Sequence, residues 1–325
     1  MKSGSGRIVV VGDLNGAYDA LVEILSGTGL VNRNLAWAGG RDELVQVGDL
    51  FNRGGGAVRA LRLLLKLRRE ARRAGGRVTA LLGNHEVMTA LGHEGYCTEE
   101  EYLSFATAAE RRAWPKRVDR AMLRLLRQRP RGIVLPIGPR LEAWKIEHVP
   151  GRAALRRALG PRGSLGKALR ALPVTYRVRD ALFVHAGLLP AWAKLGADGL
   201  EARARHDWQT ARGRLWNLPK RASLFRSGTG PLWDRSLIRG GAEARADLRE
   251  TLALLGVKRM IVGHTQTGSL ERGQPGRIVV LERGKLIGVD VGLAEGPDSP
   301  RTALIIAGSR GLEWTPTKTR VLWSR

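Results

Sequence analysis

The chain has 325 residues and 43% hydrophobic content, enough for one large α/β domain or two ordinary ones around a sizeable core. Its formal net charge of +25, with Arg far ahead of Lys, fits either solvated Arg-rich faces or a field that draws in anionic substrates. Aromatic residues make up only 5% and do not interleave with the basic runs, which argues against a nucleic-acid stacking platform.

The N-terminal MKSGSGRIVV enters a strand directly, with no apolar signal segment. No later run approaches the roughly 18 apolar residues of a membrane span. The lone Cys97 has no internal disulfide partner, which fits a reducing compartment. A cytoplasmic protein with no membrane partner is expected, its oligomeric state open.

After the first strand, residues 19–26 form a helix stopped by Gly27, and 32–41 a hairpin or loop. Residues 57–73 carry Val58, Leu61, Leu64, Leu65 and Leu67 near helical period, with basic residues between them. Glu99 to Glu101 open an acidic-start helix, as the helix dipole favours. A basic helix is expected over 118–128, loops or short strands around Pro130, Pro136 and Pro139, and interrupted helix over 151–171. Residues 95–172 thus form a helical insertion, either covering the site or simply packing, within a single domain spanning 1–325. Strands return over 174–185 around a turn at Arg179-Asp180. Residues 197–226 are irregular or helical, 228–235 are a loop, and 242–255 an amphipathic helix. Closing antiparallel strands are expected at 278–281, 286–291, 303–306 and 320–323.

The chemistry concentrates at strand ends. Residues 7–11 end in Gly12-Asp13, 44–47 in Gly48-Asp49, and 78–82 in Gly83-Asn84-His85-Glu86. These ends recur about every 35 residues, close to one strand–helix–strand unit of about 30 or more. Parallel strands at that spacing bring Asp13, Asp49 and Asn84 to one sheet edge, where open α/β folds hold ligands. Two later apolar runs end in His185 and His264. Carboxylates, amide and imidazoles without thiolate suit Mn, Fe or Zn better than a soft ion.

In order, GD-x-N-G, GD-x-x-N-R-G, GNHE, VHAG and GHT resemble the motif series of the calcineurin-like metallophosphoesterases. Within them LLGNHEVM, LRALPV leading to LFVHAGL, and GPLW at 230–233 are similar to bacterial Shewanella-like protein phosphatases. The resemblance implies a four-layer α/β/β/α sandwich with two mixed sheets. It also implies two divalent metals, Mn first and Fe or Zn as alternatives. Asp13 and Asn15 would hold one, Asn84, His185 and His264 the other, and Asp49 would bridge them. The pair would activate a hydroxide for in-line attack. His85 would be the general acid, Arg53 the phosphate clamp and Arg235 a second clamp.

Two positions depart from the family pattern. Asn15 replaces a histidine that ligates metal, and Asn52 replaces an aspartate that orients the catalytic histidine. Both changes point to slower catalysis or a shifted pH optimum. Three functions follow: a serine/threonine-type protein phosphatase, a hydrolase of small phosphorylated or dinucleotide substrates, or an attenuated phosphate-binding scaffold. Asp290, in GVDVG, reads as structural but near the site. Glu86 reads as either a loop clasp or a chemical group.

Overall fold

The computed structural model describes residues 6–128, 136–294, 296 and 298–324. Pro130 lies outside these. Strands β1 (Ile8–Val11), β2 (Glu43–Gln46) and β3 (Arg77–Ala80) run parallel in adjacent positions. Helices α1 (Tyr18–Gly27) and α2 (Ala57–Arg73) make the two crossovers, and α2 buries its apolar stripe beneath an Arg-rich outer face. All four residues of β1 are buried, which explains an unbroken Val/Ile run where a one-sided sheet would alternate.

The later strands are β4 (Thr175–Val178), β5 (Ala181–Val184), β6 (Arg259–Val262), β7 (Val279–Leu281), β8 (Leu286–Gly288), β9 (Ala303–Ala307), β10 (Arg310–Trp314) and β11 (Thr319–Ser324). They complete one mixed sheet of order β11-β10-β9-β1-β2-β3 and build a second of order β4-β5-β6-β8-β7. One expectation fails here and one strand was missed. β8 is antiparallel to β7 but parallel to β6, so it is not simply a closing antiparallel strand. Strand β10 went unforeseen because Glu313 breaks its apolar character; that carboxylate is buried and paired with Arg277 at 2.7 Å and Arg320 at 3.2 Å.

Between β3 and β4 every regular element among the described residues is helical. Helix α3 (Asn84–Ala90) is followed by α4 (Glu99–Phe105), α5 (Ala108–Arg127), α6 (Ile137–His148), α7 (Arg152–Leu159) and α8 (Ser164–Arg170). Helix α5 begins ten residues before the expected Val118, because a Thr107–Glu110 capping box starts it and Pro115 is accommodated inside it. Pro136 caps α6, and Pro139 sits in its first turn, where the missing N–H has no helical partner. These two prolines mark a helix start rather than a loop or strand. Trp114 of α5 stacks on Trp144 of α6, with ring centroids 5.7 Å apart.

Glu94 ties this helical segment together. It is buried, takes Arg152 Nε at 2.7 Å and the Tyr102 hydroxyl at 3.0 Å, and also pairs with Arg156. Burial alone would raise its pKa, but the bonds from Arg156, Arg152 and Tyr102 outweigh it and hold the carboxyl below 4.5. A depressed carboxyl stabilises the fold above its unfolded value, and that contribution is lost as pH falls through the folded one. Glu94→Gln should therefore cost about 1–2 kcal/mol at pH 7. In urea titrations the deficit should shrink towards zero in acid below the ordinary carboxyl range, and a deficit independent of pH would refute the ion-pair account.

Candidate metal centre

Each assigned site residue except Arg235, which follows a loop, comes just after a strand. Asp13 and Asn15 come after β1, Asp49, Asn52 and Arg53 after β2, and Asn84 and His85 after β3. His185 and His264 follow β5 and β6, so the second sheet supplies the opposite wall. The turns are tight: φ is positive at Asn15 (44°), Asp49 (56°), Asn52 (70°), Arg53 (63°) and His264 (62°). Such backbone is costly for non-glycine residues and clusters at functional sites. Gly263 allows a close approach, because a Cβ there would lie 2.1 Å from Asp13 Oδ1.

Asp49 stands at the centre. Its Oδ1 accepts the His85 backbone N–H at 3.0 Å and lies 3.3 Å from His185 Nε2. The ligating atoms of Asp49, His185 and His264 all fall within 4.8 Å of one another. His185 Nδ1 donates to the Val47 carbonyl at 2.8 Å, which turns Nε2 towards Asp49 and towards Asn84 Oδ1 at 2.9 Å. Both Asp13 oxygens accept the His264 backbone N–H, at 3.1 and 3.0 Å. A cleft of about 180 Å³ exposes Asp13, Asn15, Asp49, Arg53, His85, Arg235, His264 and Asp290 together. The structure thus brings together every residue assigned from the motifs.

The residues fit a bound cation. Asn15 Oδ1 and His264 Nε2 are buried without any hydrogen-bond partner, an arrangement that is expensive unless something else satisfies them. Burial, and then the neighbouring Asp290 carboxylate, drives Asp13 well above the usual carboxylate range. Burial likewise raises Asp290 to about 6. Burial opposes ionisation of Asp49 too, but His185 and His85 overcome it and hold that carboxyl low. His185 is buried, which disfavours charge, yet Asp49 raises it to about 10. His264 is pushed far down by burial and by His185, so its imidazole is neutral and ready to ligate. Crowded carboxylates sharing one imidazolium are what a divalent cation would relieve. Cys97 is no rival ligand: burial and Glu101 push its thiol up to about 12.

His85 is held on both sides. Its Nδ1 donates to Asn52 Oδ1 at 2.6 Å, and its Nε2 lies 3.8 Å from Asp49 Oδ2. Arg53 is exposed at the rim. Arg235 is half-buried, with Nη1 donating to the His264 carbonyl at 2.8 Å and to Thr265 Oγ1 at 3.0 Å.

Residues 6–267 match the model of the calcineurin-like phosphoesterases. The chain belongs to that family. Shewanella-like protein phosphatase 2 of Arabidopsis thaliana is 31% identical over 295 residues, covering 89% of this chain and 72% of that protein. Shewanella-like protein phosphatase 1 of Plasmodium berghei is 24% identical over 276 residues, covering 83% and 64%. A cold-active protein tyrosine phosphatase of a psychrophilic Shewanella superposes with a TM-score of 0.71 at 22% identity, over 98% of this chain and 81% of that one. This last likeness establishes the fold, two mixed sheets with flanking helices, and not the substrate.

As a phosphoesterase of this family, whose members use divalent metals, the chain carries three groups near the cleft that the motifs did not assign. Asp290 follows the β8 run as Asp13 follows β1, so its strand-end placement was a readable signal. Glu86 is a clasp: its buried carboxylate accepts the N–H groups of Gly83, Asp49, Leu50 and Phe51 at 2.6–3.1 Å. Tyr96 stands 5.1 Å from the His85 ring, and no sequence pattern announced it. Stripping divalent metal with chelator should lower the melting temperature, and Mn should restore it. A hundredfold excess over Kd corresponds to about 2.7 kcal/mol. Thermal scans of Asp49→Ala should lack the Mn response, and a wild type insensitive to Mn, Fe and Zn alike would exclude the centre.

Proposed function

We propose that this chain is a metal-dependent phosphomonoesterase acting on phosphorylated proteins, working as one unit with the 95–172 segment packed beside its cleft. The observation that carries the reading is a single small cleft whose floor is carboxylate and imidazole and whose rim holds two arginines. Asp13, Asn15, Asp49, Asn84, His185 and His264 are the residues that would hold two divalent ions, Mn first and Fe or Zn as alternatives. When bound, such ions supply a nucleophile at neutral pH and neutralise phosphoryl oxygens.

The chain's own residues do the rest. Arg53 and Arg235 grip the phosphate through planar forks, and the Arg235 bonds to His264 and Thr265 pre-set its angle. With Nδ1 committed to Asn52, His85 offers Nε2 to the cleft, where it delivers a proton to the leaving oxygen. Glu86 fixes the turn that carries Asp49.

Serine/threonine phosphoproteins are the first substrate reading. Phosphotyrosine is the second, and one observation favours it. Tyr96, 50% exposed, lies beside His85, and His93 continues the wall to Trp216, 64% exposed, with centroids 6.0 and 5.3 Å apart. An aryl leaving group emerging at His85 would lie on that ledge.

Turnover of p-nitrophenyl phosphate with added Mn tests the reaction. A general acid contributes about 10²–10⁴-fold, so His85→Ala should lose that much on phenyl phosphate. Phosphopeptides carrying phosphoserine, phosphothreonine or phosphotyrosine in one sequence rank the substrates, and Trp216→Ala should raise KM on the phosphotyrosine peptide alone if the ledge is used. A Mn-loaded protein that binds phosphate but hydrolyses none of these would be an attenuated relative.

A further inference from the structure

Position 52 poses a problem that the rest of the site does not. The usual motif places a carboxylate there, which can only accept a hydrogen bond. An amide is ambiguous, because one end accepts and the other donates. Turned one way, Asn52 accepts the Nδ1 proton of His85 and leaves Nε2 free to take up and deliver a proton. Turned the other way, it donates to Nδ1 and confines the ring's proton to Nε2 of a neutral imidazole, a far weaker acid. Something must choose between these orientations.

We propose that Glu101, on the first helix of the insertion, is a positioning residue that fixes the Asn52 amide with its acceptor towards His85. Glu101 is completely buried. Its Oε2 accepts from Asn52 Nδ2 at 3.1 Å, and its Oε1 accepts the Asn52 backbone N–H at 2.9 Å. A carboxylate offers no donor to the amide oxygen, so Nδ2 must face it and Oδ1 must face His85, where the 2.6 Å contact is found. The other neighbours of Nδ2 cannot make that choice. Thr89 Oγ1 at 3.0 Å and Cys97 Sγ at 3.2 Å each carry both a proton and lone pairs. Among the described residues no cationic side chain comes within 4.0 Å of the Glu101 carboxylate, so it is not buried for an ion pair. The carboxylate missing at position 52 thus stands one residue further back, delivered by α4, whose N-cap Thr98 Oγ1 accepts the Glu101 N–H at 3.2 Å.

This rests on the hydrolase reading with His85 as acid, and it makes a counter-intuitive prediction. Asn52→Asp, which writes the usual motif, sets a second buried carboxyl against Glu101, and the two can stay together only by taking up a proton, since like charges in contact cannot both ionise. That variant should be worse than wild type. Adding Glu101→Gln supplies an amide that donates to the introduced carboxylate, and function should return.

The experiment is the four-member cycle of wild type, Asn52→Asp, Glu101→Gln and the double variant, each loaded with Mn and matched for metal content. Phenyl phosphate needs acid assistance at its poor leaving group, and 2,4-dinitrophenyl phosphate barely does. Each single variant should lose about tenfold or more in kcat on the first and about threefold or less on the second, and the double variant should recover most of the loss on both. Recorded with diamagnetic Zn in place of Mn, the 15N spectrum of the His85 ring should report a protonated Nδ1 in wild type and in the double variant, and an altered pattern in Glu101→Gln. Asn52→Asp as active as wild type, or Glu101→Gln with unchanged leaving-group dependence and ring spectrum, would overturn the proposal. A wild type without turnover that still gives the stated ring spectra would instead remove the hydrolase reading and leave the Glu101–Asn52 pairing intact.

Discussion

Four backbone N–H groups converge on one buried carboxylate, Glu86, and the geometry of the cleft depends on it. Glu86 lies in the first turn of α3, so the chain after β3 reaches back to clamp the turn after β2. That turn holds Asp49, Asn52 and Arg53 at positive φ, and each such residue carries a strain on the order of 1–3 kcal/mol. Without an acceptor for three consecutive N–H groups the turn would relax, and the Asp49 carboxylate would leave the centre. Burial and the Asp49 charge push Glu86 up to about 7, whereas the four donors favour its charged form. The clasp therefore works against the charge of the residue it positions, and a cation beside Asp49 would ease both.

The electrostatics of the cleft follow from the same crowding. Asp13, Asp49 and Asp290 converge from three strand ends, and only His185 among the floor groups gains charge to meet them. Arg53 and Arg235 line the cleft, yet neither makes an ion pair with the floor among the described residues. Cationic groups at the rim above carboxylates and imidazoles on the floor make a layered field, which is what the proposed phosphatase reading rests on. The net charge of +25 adds long-range attraction but locates nothing; the two rim arginines do.

Much of this was legible in the sequence because the site is built from strand ends. Asp13, Asp49 and Asn84 recur at crossover spacing, and the parallel register of β1, β2 and β3 follows from it. Helices with a clean apolar stripe were readable to the residue, as over 57–73. What failed was context. Pro115 concealed the first half of α5, and Pro139 marked a helix start rather than a break. Glu313 hid β10, because a buried carboxylate in a strand is intelligible only once Arg277 and Arg320 are beside it. The direction of β8 depends on which neighbour it meets across the sheet, and local pattern is silent on that. Glu101 looked like one of three interchangeable acids opening a helix; only packing separates the buried one from Glu99 and Glu100.

The helical segment between β3 and β4 is therefore more than a spacer. Two of its side chains stand against the residues proposed for catalysis from different directions: Glu101 behind Asn52, and Tyr96 beside His85. Its internal order is secured near the same place, where Glu94 ties Tyr102 to Arg152 and Arg156 one turn from Cys97 and Glu101. A disturbance of α4 or α7 would reach His85 through two short contacts rather than through the sheets. The asparagine at position 52 makes this coupling obligatory. An aspartate would orient the histidine by itself, whereas an amide must be told which way to face, and the residue that can do so lies in the insertion.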